Sequence, residues 1–487
     1  MRYLLLCFAL TSASAFAQDV KEDYRAFRES LMKDYQGFRQ QTLDNYSGFL
    51  EGVWKEFQTF RGEKRDVTPK PVTIPPFEES PAGSTPQQLP APEVRPLQPK
   101  SSVPTVPEVK PVQPVKPVAL QVTPRFSFLF YGIPLKAAPM QLIPLSELDG
   151  KQIAQVWRAY QKSDEAEVAL ESLSTLSVEM GLNDWFTIEL IRAYVDRLGA
   201  HAQAQDRIIL QQYLMANLGY DIRLGKAAKQ LVLLMPFRQL MYERSYLPME
   251  GIRYYVFFDS QWQGEQNPGA LATYEVPKEA DSGEAVELRF NRDAMRITTE
   301  EVVERTISDD RLQVSVSVNR CLMEMLRHYP QMDIPSYAAS VVLPPLHQEI
   351  LEQLKPQIAG LSEKEATQAL LHFVQYAFDY ATDGEQHGYE KPYFLEENFY
   401  YPKNDCEDRA IFFAFLVHHL LGLDVHLVQF PGHECTAVHF TDETITGDGY
   451  TYNGKRFLIC DPTFIGASIG RCMPSYTQTQ PKVEIWY

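Results

Sequence analysis

The chain has 487 residues and a formal net charge of −17, from 46 Lys and Arg against 63 Asp and Glu. That acidic balance argues against nucleic acid and against an anionic membrane surface as partners. The length allows two or three domains, each with a core of its own.

Residues 1–17 carry one basic residue, a short apolar run and an Ala15-Phe16-Ala17 cleavage pattern. They are expected to be a secretory signal peptide, which makes the mature protein periplasmic or extracellular. The run is too short to span a bilayer and no later stretch is long enough, so no membrane insertion is expected. Cys321, Cys406, Cys435, Cys460 and Cys472 remain after cleavage. An odd number leaves at least one free thiol, with Cys406 the natural candidate. A disulfide among Cys435, Cys460 and Cys472 stays open, since sequence does not assign pairing.

Residues 18–63 contain a repeat of eleven residues that aligns Tyr24, Tyr35, Tyr46 and Phe57, and likewise Phe27, Phe38, Phe49 and Phe60. Eleven residues in three turns, about 3.67 per turn, put these aromatics on one stripe of a coiled-coil-like helix with slight right-handed drift. Such a stripe has to be buried, by self-association, by docking to the cell envelope or by packing back on the same chain. Residues 64–125 hold nearly half of the 34 prolines and read as an extended, semi-rigid spacer.

The remainder reads as α+β, with two copies of one unit at 126–262 and 346–487. The segment "AQDRIILQQYLMANLGYDIRLGKAAKQLVLLMPF" from Ala204 aligns with "CEDRAIFFAFLVHHLLGLDVHLVQFPGHECTAVHF" from Cys406. Each continues through a polar turn into a strand, ending near Asp259 and at Asp461. Upstream, "SDEAEVALESLSTLSVEM" echoes "SEKEATQALLHFVQYAF" as an amphipathic helix. Residues 263–345 look β-rich, because "AVELRFN" and "RLQVSVSVN" alternate apolar and polar residues.

Cys406, His433 and Asp461 are the candidate catalytic residues. A nucleophilic thiol needs a base, and the base needs an orienting partner. Cys406 is expected in the first turn of a buried helix ending at Gly422, capped by Asn404 or Asp405, where the helix end lowers a thiol pKa. "ECTAVHF" and "KRFLIC" read as strands of a hairpin. The start of one then faces the end of the other, so His433 should meet Asp461. His439, at the far end of its strand, is read as a surface residue, and His418 and His419 as structural. In the first copy Ala204 and Gln230 occupy the Cys and His positions, so that copy is expected to be inactive.

The segments "NDCEDRA", "PGHECTAV" and "CDPTF" resemble the transglutaminase-like superfamily, a branch of the papain-like cysteine fold. The resemblance spans about Leu361 to Met473 and implies tandem papain-like domains with a Cys–His–Asp triad in the second. The aromatic residue that the animal crosslinking members carry shortly after the histidine is missing, with Thr436 in that stretch. The resemblance implies an exported cysteine peptidase or amidase, a hydrolase of amide bonds in protein or peptide. The alternative is a non-catalytic envelope scaffold or binding protein on the same fold. No metal ligand spacing and no organic cofactor motif are seen.

Overall fold

A computed structural model describes residues 45–64, 86–95, 126–259, 268–274, 283–290, 295–297 and 301–486. The signal-like residues 1–17 and the first two eleven-residue repeats lie outside the described residues. The fold is a mixed α+β assembly whose principal sheets have six strands each.

The first sheet is fed by two packed helices, α1 (Asp184–Leu198) and α2 (Ala204–Asn217). Four strands follow: β1 (Arg223–Ala227), β2 (Gln230–Pro236), β3 (Tyr246–Met249) and β4 (Ile252–Phe257). Strand β5 (Ala270–Thr273) joins the free side of β1, and Lys55–Gln58 closes that edge. The second sheet repeats this plan. Helices α3 (Glu363–Tyr376) and α4 (Cys406–Leu421) precede β6 (Asp424–Phe430), β7 (His433–His439), β8 (Gly449–Tyr452) and β9 (Lys455–Cys460). Strand β10 (Lys482–Glu484) joins β6, and Glu93–Arg95 closes that edge.

The two units agree in register as well as in order. Ala227 pairs with Gln230 across a two-residue turn, as Phe430 pairs with His433. Met249 pairs with Ile252 across Glu250-Gly251, as Tyr452 pairs with Lys455 across Asn453-Gly454. Both of those turns hold two residues at positive φ, from 49° to 83°, the signature of a tight hairpin turn. Each sheet turns alternate residues to the two sides. Leu231, Leu233 and Met235 enter the main core, while Val232 and Leu234 enter a satellite cluster. In the second unit Val425 and Leu427 face the main core, and Val428 and Phe430 a second satellite.

Three expectations need correction. The repeat helix does not run to residue 63: residues 45–51 are helical, and Lys55–Gln58 is a strand paired with Ala270–Thr273. Its last aromatics pack on the first unit, with Tyr46 against Trp157 and Trp54 against Tyr274. The proline-rich stretch is not a bare spacer, since Glu93–Arg95 runs parallel to β10 and Leu89 is buried beneath the second sheet. Proline is tolerated there because an edge strand has one unpaired side. The counterpart of α3 is Asp184–Leu198, which packs on α2 as α3 packs on α4, and not the segment at 163–180. In the joining segment, Ala270–Thr273 pairs into the first sheet and Val302–Ser308 forms a hairpin with Gln313–Asn319, residues 284 and 286 make isolated bridges, and Arg320–Leu326 and Ile334–Ala338 are helical.

One histidine is buried in neutral form. His426 is stacked 3.8 Å from Phe457, and burial pulls its pKa to about 4. An unfolded histidine titrates near 6.5, so between about 6.5 and 4 the unfolded chain binds the extra proton. Stability is therefore full above pH 6.5 and is lost as pH falls toward 4. Urea denaturation from pH 7 to 4.5 should show this decline, and His426→Gln should flatten it by up to about 1.4 kcal/mol per pH unit.

Candidate active site

Helix α4 is buried all round from Cys406 to Val417 and stops at Gly422, whose φ of 70° suits glycine. Its N-cap is Asp405, and the Asp405 N–H donates to Asp408 Oδ2 at 3.3 Å. Asp408 Oδ1 accepts the Tyr393 N–H at 2.8 Å. Arg409 spreads its guanidinium over Asn404 Oδ1 at 2.9 Å, the Phe378 carbonyl at 2.8 Å and the Gln375 carbonyl at 3.3 Å. This first turn is thus a polar junction inside apolar surroundings, and Cys406 is the first residue of the helix.

His433 opens β7, and Asp461 follows the last residue of β9. The two strands pair antiparallel, with Thr436 opposite Cys460. An additional strand, β8, lies outside β9, so the polar connection is longer than a simple hairpin. His433 Nε2 lies 2.8 Å from Asp461 Oδ2. That bond uses Nε2 and leaves Nδ1 as the ring atom able to take a proton. Asp461 Oδ1 accepts from the Thr463 and Phe464 N–H groups at 2.9 and 3.2 Å. Gln375 of α3 donates to three carbonyls of the same loop, those of Asp461, Phe464 and Ala467. The position of Asp461 is therefore fixed from two sides.

Cys406, His433 and Asp461 are 2 %, 4 % and 2 % exposed. The Cys406 sulfur accepts the backbone N–H of Glu434, the neighbour of His433, which brings helix start and strand start together. Its own proton is directed at Glu407 Oε2, 3.1 Å away. Burial, then the charges of Glu407 and Asp405, push the thiol pKa well above its ordinary value. The expected lowering by the helix end is opposed here by two carboxylates in the same turn. Tyr476 stacks on the His433 ring at 5.5 Å and on Phe430 at 4.8 Å. His439 bonds the Arg456 carbonyl at the other end of the strand, and His418 and His419 pack on Trp486.

Sequence reasoning missed several neighbours. Asp383, Glu390 and Glu407 bring their carboxylate oxygens within 4.8 Å of one another, and so do Asp383, Asp405 and Asp408. All five are buried. An oxygen-only donor set of this kind suits a hard divalent cation, whereas the neighbouring His433, Cys435 and Asp461 offer mixed N, S and O donors. Burial and mutual repulsion also raise the Asp405 and Asp408 carboxyls well above the usual range. The sequence signal was the run Asp405-Cys406-Glu407-Asp408 itself. Gln375 left a signal too, as an amide on the apolar face of an amphipathic helix. Each of the five described cysteines is a free thiol.

The first unit shows what the same register does without these groups. Ala204 opens α2 and Gln230 opens β2, and both are exposed. By pairing, Phe257 answers to Cys460, so Phe258 stands at the Asp461 position and Asp259 one residue on. Asp259 is held there by Arg207, the counterpart of Arg409. Comparison with protein-family models, curated proteins and solved structures finds no match for this chain. No helix among the described residues is long and apolar enough to cross a membrane.

Two substitutions probe this site. Replacing Glu407 with Gln removes the charge that most disfavours the thiolate, so the Cys406 pKa should fall. Alkylation of Cys406 near pH 8 should then be faster in Glu407→Gln than in wild type, and the pH profile should move to lower pH. Gln375→Leu leaves three buried carbonyls without their donor. It should cost about 3 kcal/mol in urea unfolding, and a loss under 1 kcal/mol would show that water replaces the amide.

Proposed function

We propose that the protein is an exported thiol acyl-transfer enzyme of transglutaminase-like type that cleaves amide bonds in protein or peptide. The observation that carries this reading is the His433–Asp461 hydrogen bond beside the start of a helix that begins with Cys406. In the proposed reaction the Cys406 thiol turns from Glu407 to His433, and Nδ1 takes its proton. The sulfur attacks the carbonyl carbon, and the Cys406 backbone N–H faces the developing oxyanion. Asp461 holds the ring tautomer and favours its cation. The C–N bond breaks as His433 returns the proton to the leaving amine. Water, deprotonated by the same ring, then releases the acid from the thioester; an amine in its place would give crosslinking.

A second reading has an observation of its own. The first unit keeps the register of the second with Ala204 and Gln230 at the key positions, so the architecture stands without the triad. On that reading both units bind, and the protein is a non-catalytic envelope scaffold.

The alkylation rate of Cys406 at pH 7.5 separates the two. The enzyme reading expects His433→Ala to slow it on the order of 100-fold, with Asp461→Asn intermediate. It also expects Cys406→Ser to abolish turnover of a casein-type peptide mixture. Equal rates in wild type and His433→Ala, with no turnover by either, would leave the scaffold reading standing.

A further inference from the structure

A cavity of about 410 Å³ opens where the two units and the segment joining them meet. Arg244 and Phe257 line it from the first unit, Arg327 and Tyr329 from the joining segment, and Tyr389 and Lys391 from the second unit. None of Cys406, His433 and Asp461 belongs to its wall. The volume lies within the range of small-ligand pockets, about 300–1,000 Å³, and such pockets favour the junctions of folded units.

The chemistry of the wall is aromatic and cationic. The Arg244 guanidinium is 7 % exposed and lies 4.2 Å over the Phe257 ring. Arg327 stands half exposed at the rim, 3.5 Å from Glu324. Of the two carboxylates in the wall, Glu390 gathers with Asp383 and Glu407 in the acid cluster; Glu243 is the other. The Lys391 ammonium meets Glu397 at 2.6 Å. Three cations and two carboxylates therefore line the cavity, and two of the cations are paired with Glu324 and Glu397 outside it. Besides burial, Arg327 and Lys391 lower the His328 pKa, and Lys391 and Arg327 help to lower that of His387 to about 4. Buried arginine beside aromatic rings is the arrangement that recognises a planar acid group on an apolar body.

We propose that this seam cavity binds a small organic anion with an aromatic body. Its acid group sits between Arg244 and Arg327, and its ring rests against Trp185, Tyr329 and Tyr337. The inference is independent of the thiol chemistry. The site nevertheless touches it through one segment: Tyr389 and Lys391 form cavity wall, while Glu390 between them reaches the carboxylates beside Cys406. A ligand seated here fixes that segment.

The test is titration calorimetry on the full chain with N-acetyl-L-phenylalanine and with phenyl phosphate. N-acetyl-L-phenylalaninamide and phenol are the neutral controls. At least one anion should bind in 1:1 ratio, with its neutral control about tenfold weaker, and Arg327→Gln should cost about tenfold in affinity. Arg327 is half exposed, so this variant keeps the fold; Arg244→Met is a second variant, read only where its circular dichroism melt matches wild type. Tighter carboxylate binding points to an amino-acid or peptide ligand, and tighter phosphate binding to a phosphorylated one. Failure of both anions to bind at millimolar concentration, equal binding of the neutral controls, or unchanged affinity in Arg327→Gln overturns the proposal.

Discussion

Burying a charged helix start is the constraint on which the second unit depends. Asp405, Glu407, Asp408 and Arg409 lie in one turn, and each is at most 3 % exposed. So far from water, burial and mutual repulsion raise the Asp405 and Asp408 carboxyls, and Asp408 and Arg409 are met by hydrogen bonds. The partners this turn recruits are mainly backbone groups: the Tyr393 N–H, the carbonyl of Gln375 at the end of α3, and that of Phe378 just beyond it. Those segments are thereby fixed against the helix. Gln375 then passes the constraint to the Asp461 loop through three hydrogen bonds of its own. The geometry of His433 and Asp461 follows from this polar frame as much as from the pairing of β7 and β9.

The first unit isolates what that frame adds. Asp206 and Arg207 stand where Asp408 and Arg409 stand, and Asp206 likewise accepts a loop N–H, that of Leu145, at 2.8 Å. The scaffold pair is therefore common to both. The difference lies between the paired helices. In the first unit α1 and α2 are joined by residues 199–203, whereas α3 and α4 are separated by residues 377–405. That longer connection supplies Asp383, Glu390, Lys391 and Tyr393. It covers the start of α4, while the start of α2 stays exposed at Ala204. This insertion goes with the burial of Cys406, and Glu407 of α4 itself adds to the rise of its pKa.

Much of this was legible in the sequence, for physical reasons that also explain the misses. The pairing of His433 with Asp461 could be read because an antiparallel register is set by local alternation and a short turn. The duplicated order was legible because both units keep Asp-Arg at the helix start and a two-residue turn before Gln230 and His433. The helix at 163–180 was matched to the wrong partner because amphipathic helices resemble one another, and only packing separates them. The strands Lys55–Gln58 and Glu93–Arg95 were illegible, since edge pairing uses backbone groups that any side chain pattern can offer. The five carboxylates were scattered over 26 positions of chain, from Asp383 to Asp408, and only the loop path gathers them.

Those two edge strands show how the N-terminal segment serves the body. Lys55–Gln58 completes the first sheet beyond β5, and Glu93–Arg95 completes the second beyond β10. Each covers the same edge of its sheet, the side of an exposed template for unwanted pairing. The aromatic stripe contributes in the same sense. Tyr46 and Trp54, half-buried, pack against the first unit's core, and the Gln212 amide bonds the Tyr46 hydroxyl at 2.7 Å. One continuous core then joins residues of both units and of the joining segment, among them Trp157, Phe290 and Phe412. A cavity at the seam of such a core has walls that neither unit could hold alone. It lies where the two copies of one plan and the joining segment meet, and arginine and aromatic side chains line it.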